Sequence, residues 1–145
     1  MTATVFVDTN VLIYALDVAD PKKHAAAQVW RSALWTSRQG RLSIQVLQEF
    51  YVKVTQKWPK TRDRARAEVQ DLLAWHPVPM DHVLIELGWK LQDRFQLSFW
   101  DSLIVAAAKT AGCRYLLTED LQPGQNLEGV LVTNPFLTPP SSVLS

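Results

Sequence analysis

Apolar residues along this chain alternate between short continuous runs and helical spacing, and the switches mark out the elements. Val5-Phe6-Val7 is a β-prone run that stops at Asp8. Asp20-Pro21 supplies a helix N-cap followed by proline at the first helical position, and Ala26, Val29, Trp30, Ala33 and Leu34 then recur at helical spacing towards a stop at Gly40. Leu42 to Ile44 reads as a short strand. From Gln45 to Lys57 the stripe Leu47, Phe50, Tyr51 and Val54 has a 3.6-residue period that Pro59 ends, and a helix over Arg62 to Trp75 follows. Val78, flanked by prolines, predicts no more than a short edge strand. Asp81 caps a helix reaching about Gln96, and Ser98 caps another through the apolar stretch Phe99 to Ala111, which Gly112 stops. Tyr115 to Leu117 and Val130 to Val132 are two more short apolar strands.

Strands that alternate with helices imply a central parallel sheet covered on both faces, hence a three-layer α/β/α domain. With 145 residues, 48% of them hydrophobic, the chain can build one sizeable core. Residues 1–137 are read as that domain and residues 138–145 as a short Pro/Ser-containing tail. The lone Cys113 has no cysteine partner for an internal disulfide or a zinc knuckle, so a reducing, cytoplasmic setting is expected. The apolar N-terminus has no basic n-region and meets Asp8 early, which argues against a secretory signal. No uncharged stretch approaches the ~20 apolar residues of a membrane span, so a soluble protein with no membrane contact is expected.

The formal charge of +1 announces no nucleic-acid or membrane partner, but it hides a division. Residues 1–66 carry 11 Lys and Arg against 5 acids, and residues 67–145 carry 4 against 9. Within the basic half, Lys53, Lys57, Lys60, Arg62, Arg64 and Arg66 face only one acid, Asp63. Such a run can neutralise phosphates and steer RNA. It can equally be a solubilising helix face or a surface for an acidic protein. Trp58 could stack on a base or pack in the core. Trp35 and Trp89 lie off the main apolar stripes, which fits either a dimer or partner interface or packing around helix ends.

The chemistry points to acids. In open α/β sheets ligands collect beyond the carboxyl ends of strands, and two strands run into aspartates there: Asp8 directly, and Asp120 after Thr118-Glu119. Each has an alternative role, Asp8 as a helix cap and Asp120 in a turn before Pro123-Gly124. Asp101 is surrounded in sequence by Phe99, Trp100, Leu103, Ile104 and Val105, and a buried carboxylate needs a partner or a metal. Ser98 and Asp101 also have capping-box spacing, so a structural role is open as well. Carboxylates without companion cysteines, and with only His24, His76 and His82 scattered elsewhere, favour a hard ion such as Mg²⁺ or Mn²⁺ over zinc.

Four segments, FVDTNVLIYA, QVLQEFY, LSFWDSLIVAAA and LLTEDLQPGQ with VTNPF, occur in this order across nearly the whole chain. Together they resemble the PIN-domain ribonucleases, particularly the VapC toxins of bacterial toxin–antitoxin pairs. The resemblance implies that Asp8, Glu49, Asp101 and Asp120 are an acidic quartet holding one or two divalent ions, with Asn10 and Thr118 supporting them. It implies hydrolysis of RNA that leaves a 5′-phosphate, and a homodimer inhibited by a cognate antitoxin. Periodicity alone disagrees about Glu49, which projects about 160° from the Leu47-centred stripe, onto the polar face of its helix. Glu119 is a fifth acid, read as a turn residue rather than an auxiliary ligand. A haloacid-dehalogenase-like phosphatase also ends its first strand in a nucleophilic Asp, but Asn10 stands where its second, acid-base Asp belongs. A non-catalytic RNA- or protein-binding PIN relative is the other alternative, disfavoured by retention of all four acids.

Overall fold

The computed structural model describes residues 3–144. Five strands, β1 (Val5–Val7), β2 (Gly40–Arg41), β3 (Tyr115–Leu117), β4 (Asn126–Leu127) and β5 (Val130–Thr133), form one sheet in the order β2-β1-β3-β5-β4. β2, β1, β3 and β5 run parallel. Every residue of β1 is buried although neighbours point to opposite faces, so both faces of the sheet are covered, as expected of a three-layer α/β domain.

The sheet is not wholly parallel. β4 pairs antiparallel with β5 through a turn at Glu128-Gly129, where both residues have positive φ (55° and 97°), as a two-residue primed turn requires. Glutamate is a poor sequence signal for such a turn. It is held there by ion pairs to Lys109 and Arg94.

Six helices complete the domain: α1 (Thr9–Tyr14), α2 (Pro21–Ser37), α3 (Ile44–Lys57), α4 (Arg62–Leu72), α5 (His82–Phe95) and α6 (Phe99–Thr110). Asp20, Ser43, Asp81 and Ser98 cap α2, α3, α5 and α6, each side chain accepting from the backbone N–H three residues on. α1 follows the cap role that the sequence allows for Asp8, but its range is not legible there, because six residues are too few for periodicity to register. The strand expected at Leu42 to Ile44 is instead β2 at Gly40–Arg41: Ser43 is already the α3 cap and Ile44 its first residue. Gly40 is not the α2 stop either. Arg38 adopts the left-handed cap conformation (φ 60°), and Gly40 sits where a Cβ would come within 2.7 Å of the Trp75 ring. Val78 exchanges backbone hydrogen bonds with Leu42 and Ile44, a single bridge at the β2 edge.

Seven consecutive residues of α6, Ser102 to Ala108, are buried, which makes it the central helix. α5 packs closely along it because a Cβ at Gly88 would lie only 2.9 Å from the Leu103 side chain. The 138–144 segment lies against α2, the Thr138 carbonyl accepting from the Trp30 indole at 3.0 Å. Among the described residues no helix is long and apolar enough to cross a membrane.

Candidate active site

The chain leaves β1 towards β2 on one side, while β3 pairs on the other. The carboxyl ends of β1 and β3 therefore flank a topological switch point, the crevice where open α/β sheets place ligands. Asp8 follows β1 and Thr118 follows β3, stitched by a bond from the Asp8 N–H to the Leu117 carbonyl at 3.0 Å. Asp8 is nearly fully buried. Its Oδ1 accepts from the Thr9 N–H at 2.7 Å, so it does begin α1, and its Oδ2 accepts from the Thr118 hydroxyl at 2.9 Å.

Asn10 binds this pair to Asp120. Its amide donates to Thr118 Oγ1 at 3.1 Å, to Asp120 Oδ2 at 3.0 Å and, more distantly, to Asp8 Oδ2 at 3.4 Å. Thr118 Oγ1 also accepts from the Asp120 N–H, fixing the turn that presents that exposed carboxylate.

Glu49 comes from the middle of α3 and is half-buried, unlike the solvated glutamate that periodicity predicts. The polar face of α3 overlooks the crevice, so its apolar stripe packs one way while Glu49 points to the acids. Gln45, one turn earlier, donates to Glu49 Oε1 at 3.1 Å and reaches the Trp100 carbonyl at 3.5 Å. Sequence reasoning passed over Gln45. Its signal was a polar residue at i−4 from Glu49 on the same face. Asp101 sits in the first turn of α6, half-buried. Its N–H donates to Ser98 Oγ at 3.1 Å, so the serine hydroxyl caps the helix and leaves the Asp101 carboxylate available.

Electrostatics tie the four acids together. Burial pushes the Asp8 carboxyl up to about 6; the Thr118 and Thr9 hydrogen bonds oppose this, and the charges of Asp120 and Glu49 add to it. Burial also raises Asp101, with the Ser98 hydroxyl opposing and Asp120 reinforcing. Among the described residues no three acid, histidine or cysteine side chains stand close enough to form a ready-made cage, so the acids line a rim rather than close on one point. The donor set nevertheless fits a hard divalent cation. It is all oxygen, a buried carboxylate is in it, and the side-chain oxygens of Asn10 and Gln45 beside the acids are buried acceptors with no protein partner.

Glu119 turns away from this rim. It pairs with Lys23 at 2.8 Å, and that ammonium lies over the Tyr14 and Phe136 rings. Of the basic run, Lys57 pairs with Asp17 and Arg66 donates to the Tyr51 hydroxyl, whereas Lys53, Lys60, Arg62 and Arg64 make no ion pair among the described residues. All six are exposed. Trp58 is half-buried, Trp35 packs on Trp75 with the Arg31 guanidinium over both rings, and Trp89 is exposed.

The PIN domain family model matches residues 5–123, a span that holds all four acids. The chain belongs to the PIN domain family. The fold of this PIN domain is shared by solved structures. A toxin–antitoxin complex from Klebsiella pneumoniae is similar at 21% identity with a TM-score of 0.65, over 91% of this chain and 98% of that one. VapC20 of Mycobacterium tuberculosis, a toxin that cleaves the sarcin-ricin loop, is similar at 21% identity and a TM-score of 0.58, over 78% and 87%. VapBC2 from Rickettsia felis, bound to a DNA fragment from its promoter, is similar at 13% identity and 0.61, over 90% and 98%. No curated protein gives a significant sequence match.

Proposed function

We propose that this PIN domain is a metal-dependent endoribonuclease and the toxin of a toxin–antitoxin pair. The observation that carries the reading is the approach of four acids at the switch point of the sheet, from the end of β1, from α3, from α6 and from the turn after β3, with the charges of Glu49 and Asp120 felt at Asp8 and that of Asp120 felt at Asp101. Asp8, Glu49, Asp101 and Asp120 would hold Mg²⁺ or Mn²⁺. When bound, such an ion lowers the pKa of water and offsets charge developing on the scissile phosphate.

The remaining work belongs to the chain itself. Asn10 and Thr118 hold Asp8 and Asp120 in a fixed relation, and Gln45 fixes Glu49. The seam of β1 and β3 makes these distances rigid, which preorganises the acids for the reaction. Lys53 lies one helical turn beyond Glu49, and with Lys60, Arg62, Arg64 and Arg66 it would carry the RNA backbone towards a rim that otherwise repels phosphate, whereas Lys57 is engaged by Asp17.

The similarity to toxin–antitoxin structures supports a cognate antitoxin as the partner. With it we take a homodimer as the working form and the cytoplasm as its setting. The decisive experiment is cleavage of defined RNAs with Mg²⁺ or Mn²⁺, with a chelator control and the Asp8→Asn variant. Cleavage lost in both controls supports the reading. Cleavage that survives chelation, or that Asp8→Asn retains, overturns it.

A further inference from the structure

Trp100 immediately precedes Asp101 in the first turn of α6, and it is the most exposed of the six tryptophans at 65%. An indole left in water forfeits burial worth about 1.5–3 kcal/mol for a large apolar side chain, so core packing does not account for an aromatic at this position. Its setting differs from that of four of the other five rings; Trp89 on α5 is similarly exposed at 54%, but only Trp100 is the sequence neighbour of one of the four acids. Arg31 covers Trp35 and Trp75, Lys57 covers Trp58, and Trp30 is buried with its N–H bonded to Thr138. Among the described residues no cation lies over Trp100. Its aromatic neighbour is Phe99, which meets it edge-on at 5.3 Å and 65° and so does not stack on its face.

The backbone of Trp100 is tied to the acids. Gln45 reaches the Trp100 carbonyl with the same amide that donates to Glu49, and Asp101 is the next residue. A polynucleotide approaching this rim meets carboxylates that repel its phosphates. A neutral π-face attracts a base without competing with those carboxylates, and stacking tolerates any base.

We propose that the Trp100 indole is a stacking platform for an unpaired base of single-stranded RNA next to the acidic rim. This deepens the ribonuclease reading and rests on it for the identity of the ligand. Trp100 touches substrate rather than the reacting atoms, so it acts in binding and register.

The test measures binding in chelator, so that no cleavage intervenes. The probes are a short fluorescent oligouridine and a base-free sugar–phosphate strand of equal length and charge. Wild type should prefer the oligouridine by about 5- to 150-fold, the worth of one base–aromatic stack. Trp100→Ala should bind both strands equally, at the wild-type affinity for the base-free strand, and Trp100→Phe should recover most of the preference. Equal or absent binding of the two strands by wild type overturns the platform, as does a preference that Trp100→Ala retains. If Trp100→Ala instead turns a dimer into monomers in sedimentation while the preference survives, the indole belongs to a protein interface and the proposal fails. A preference for bases that depends on Trp100, in a protein that cleaves no RNA with Mg²⁺ or Mn²⁺, would support the platform and overturn the nuclease reading, so the two fail separately.

Discussion

The Thr118 hydroxyl donates to the Asp8 carboxylate at 2.9 Å across the seam between β1 and β3. The same oxygen accepts from the Asn10 amide and the Asp120 N–H, so one buried hydroxyl orders two acids that stand 112 positions apart in sequence. Thr118→Val keeps the shape and removes all three bonds. It should destabilise the protein by about 1–3 kcal/mol in urea denaturation, because buried polar partners are left unpaired. It should also move the acidic limb of the cleavage pH profile upward, since that bond lowers the Asp8 pKa. Thr118→Ser should leave the limb in place. A limb that stays put in the valine variant would separate Thr118 from the site.

Burial of Asp8 makes a second prediction about pH. Its carboxyl titrates at about 6 in the folded protein against 3.8 in the unfolded chain, so the folded state holds the proton more tightly. The contribution to stability is present in full below pH 4 and is lost as pH rises through 6. It amounts to about 3 kcal/mol at most. In chelator, the stability of Asp8→Asn relative to wild type should therefore rise between pH 4 and pH 7. Adding Mg²⁺ at pH 7 should stabilise wild type and leave Asp8→Asn unmoved, because a ligand stabilises only the state that binds it. Parallel stability curves for the two proteins across that window would refute the assignment.

Glu49 marks the limit of what the sequence discloses. Periodicity correctly located α3 and its buried stripe, but a helical wheel does not show what stands opposite the polar face. Only the fold brings that face over the β1–β3 crevice. Asp8 was legible because a strand runs directly into it. α1 and β4 were not, since a six-residue helix and a two-residue strand are too short to show a period. Resemblance of the QVLQEFY segment supplied what pattern could not. Glu49→Gln should abolish metal-dependent cleavage with little change in melting temperature, because the shape is kept and the Gln45 amide still finds an oxygen. Full cleavage by this variant would return Glu49 to the role of a half-buried surface acid.

Two roles competed for Asp101, and they predict opposite signs. Because Ser98 Oγ accepts from the Asp101 N–H, capping of α6 resides in the serine. Ser98→Ala should cost about 1 kcal/mol. Asp101→Asn, which relieves a desolvated carboxylate facing Asp120, should hold or raise the melting temperature in chelator near pH 7. Mg²⁺ should then raise the wild-type melting temperature more than the variant's. A lower variant temperature in chelator, with an undiminished Mg²⁺ response, would remove Asp101 from the site.

The basic run offers the last prediction, because the structure sorts its members. Lys57 is neutralised by Asp17, while Arg62 and Arg64 are exposed and without an acidic partner among the described residues. Each phosphate contact made by a free cation releases counterions, and for single strands the slope of log affinity against log salt changes by about 0.7 per contact. The double change Arg62→Ala with Arg64→Ala should flatten that slope by about 1.4 if both touch RNA, weaken binding to every sequence alike, and leave cleavage at saturating RNA intact. Arg114 provides the control. It precedes β3, at the end of the strand remote from the acids, and is equally exposed, so Arg114→Ala should leave the slope unchanged. If the Arg62 and Arg64 changes behave like Arg114→Ala, these arginines serve solubility or a protein partner, and the path of RNA to the rim must run elsewhere.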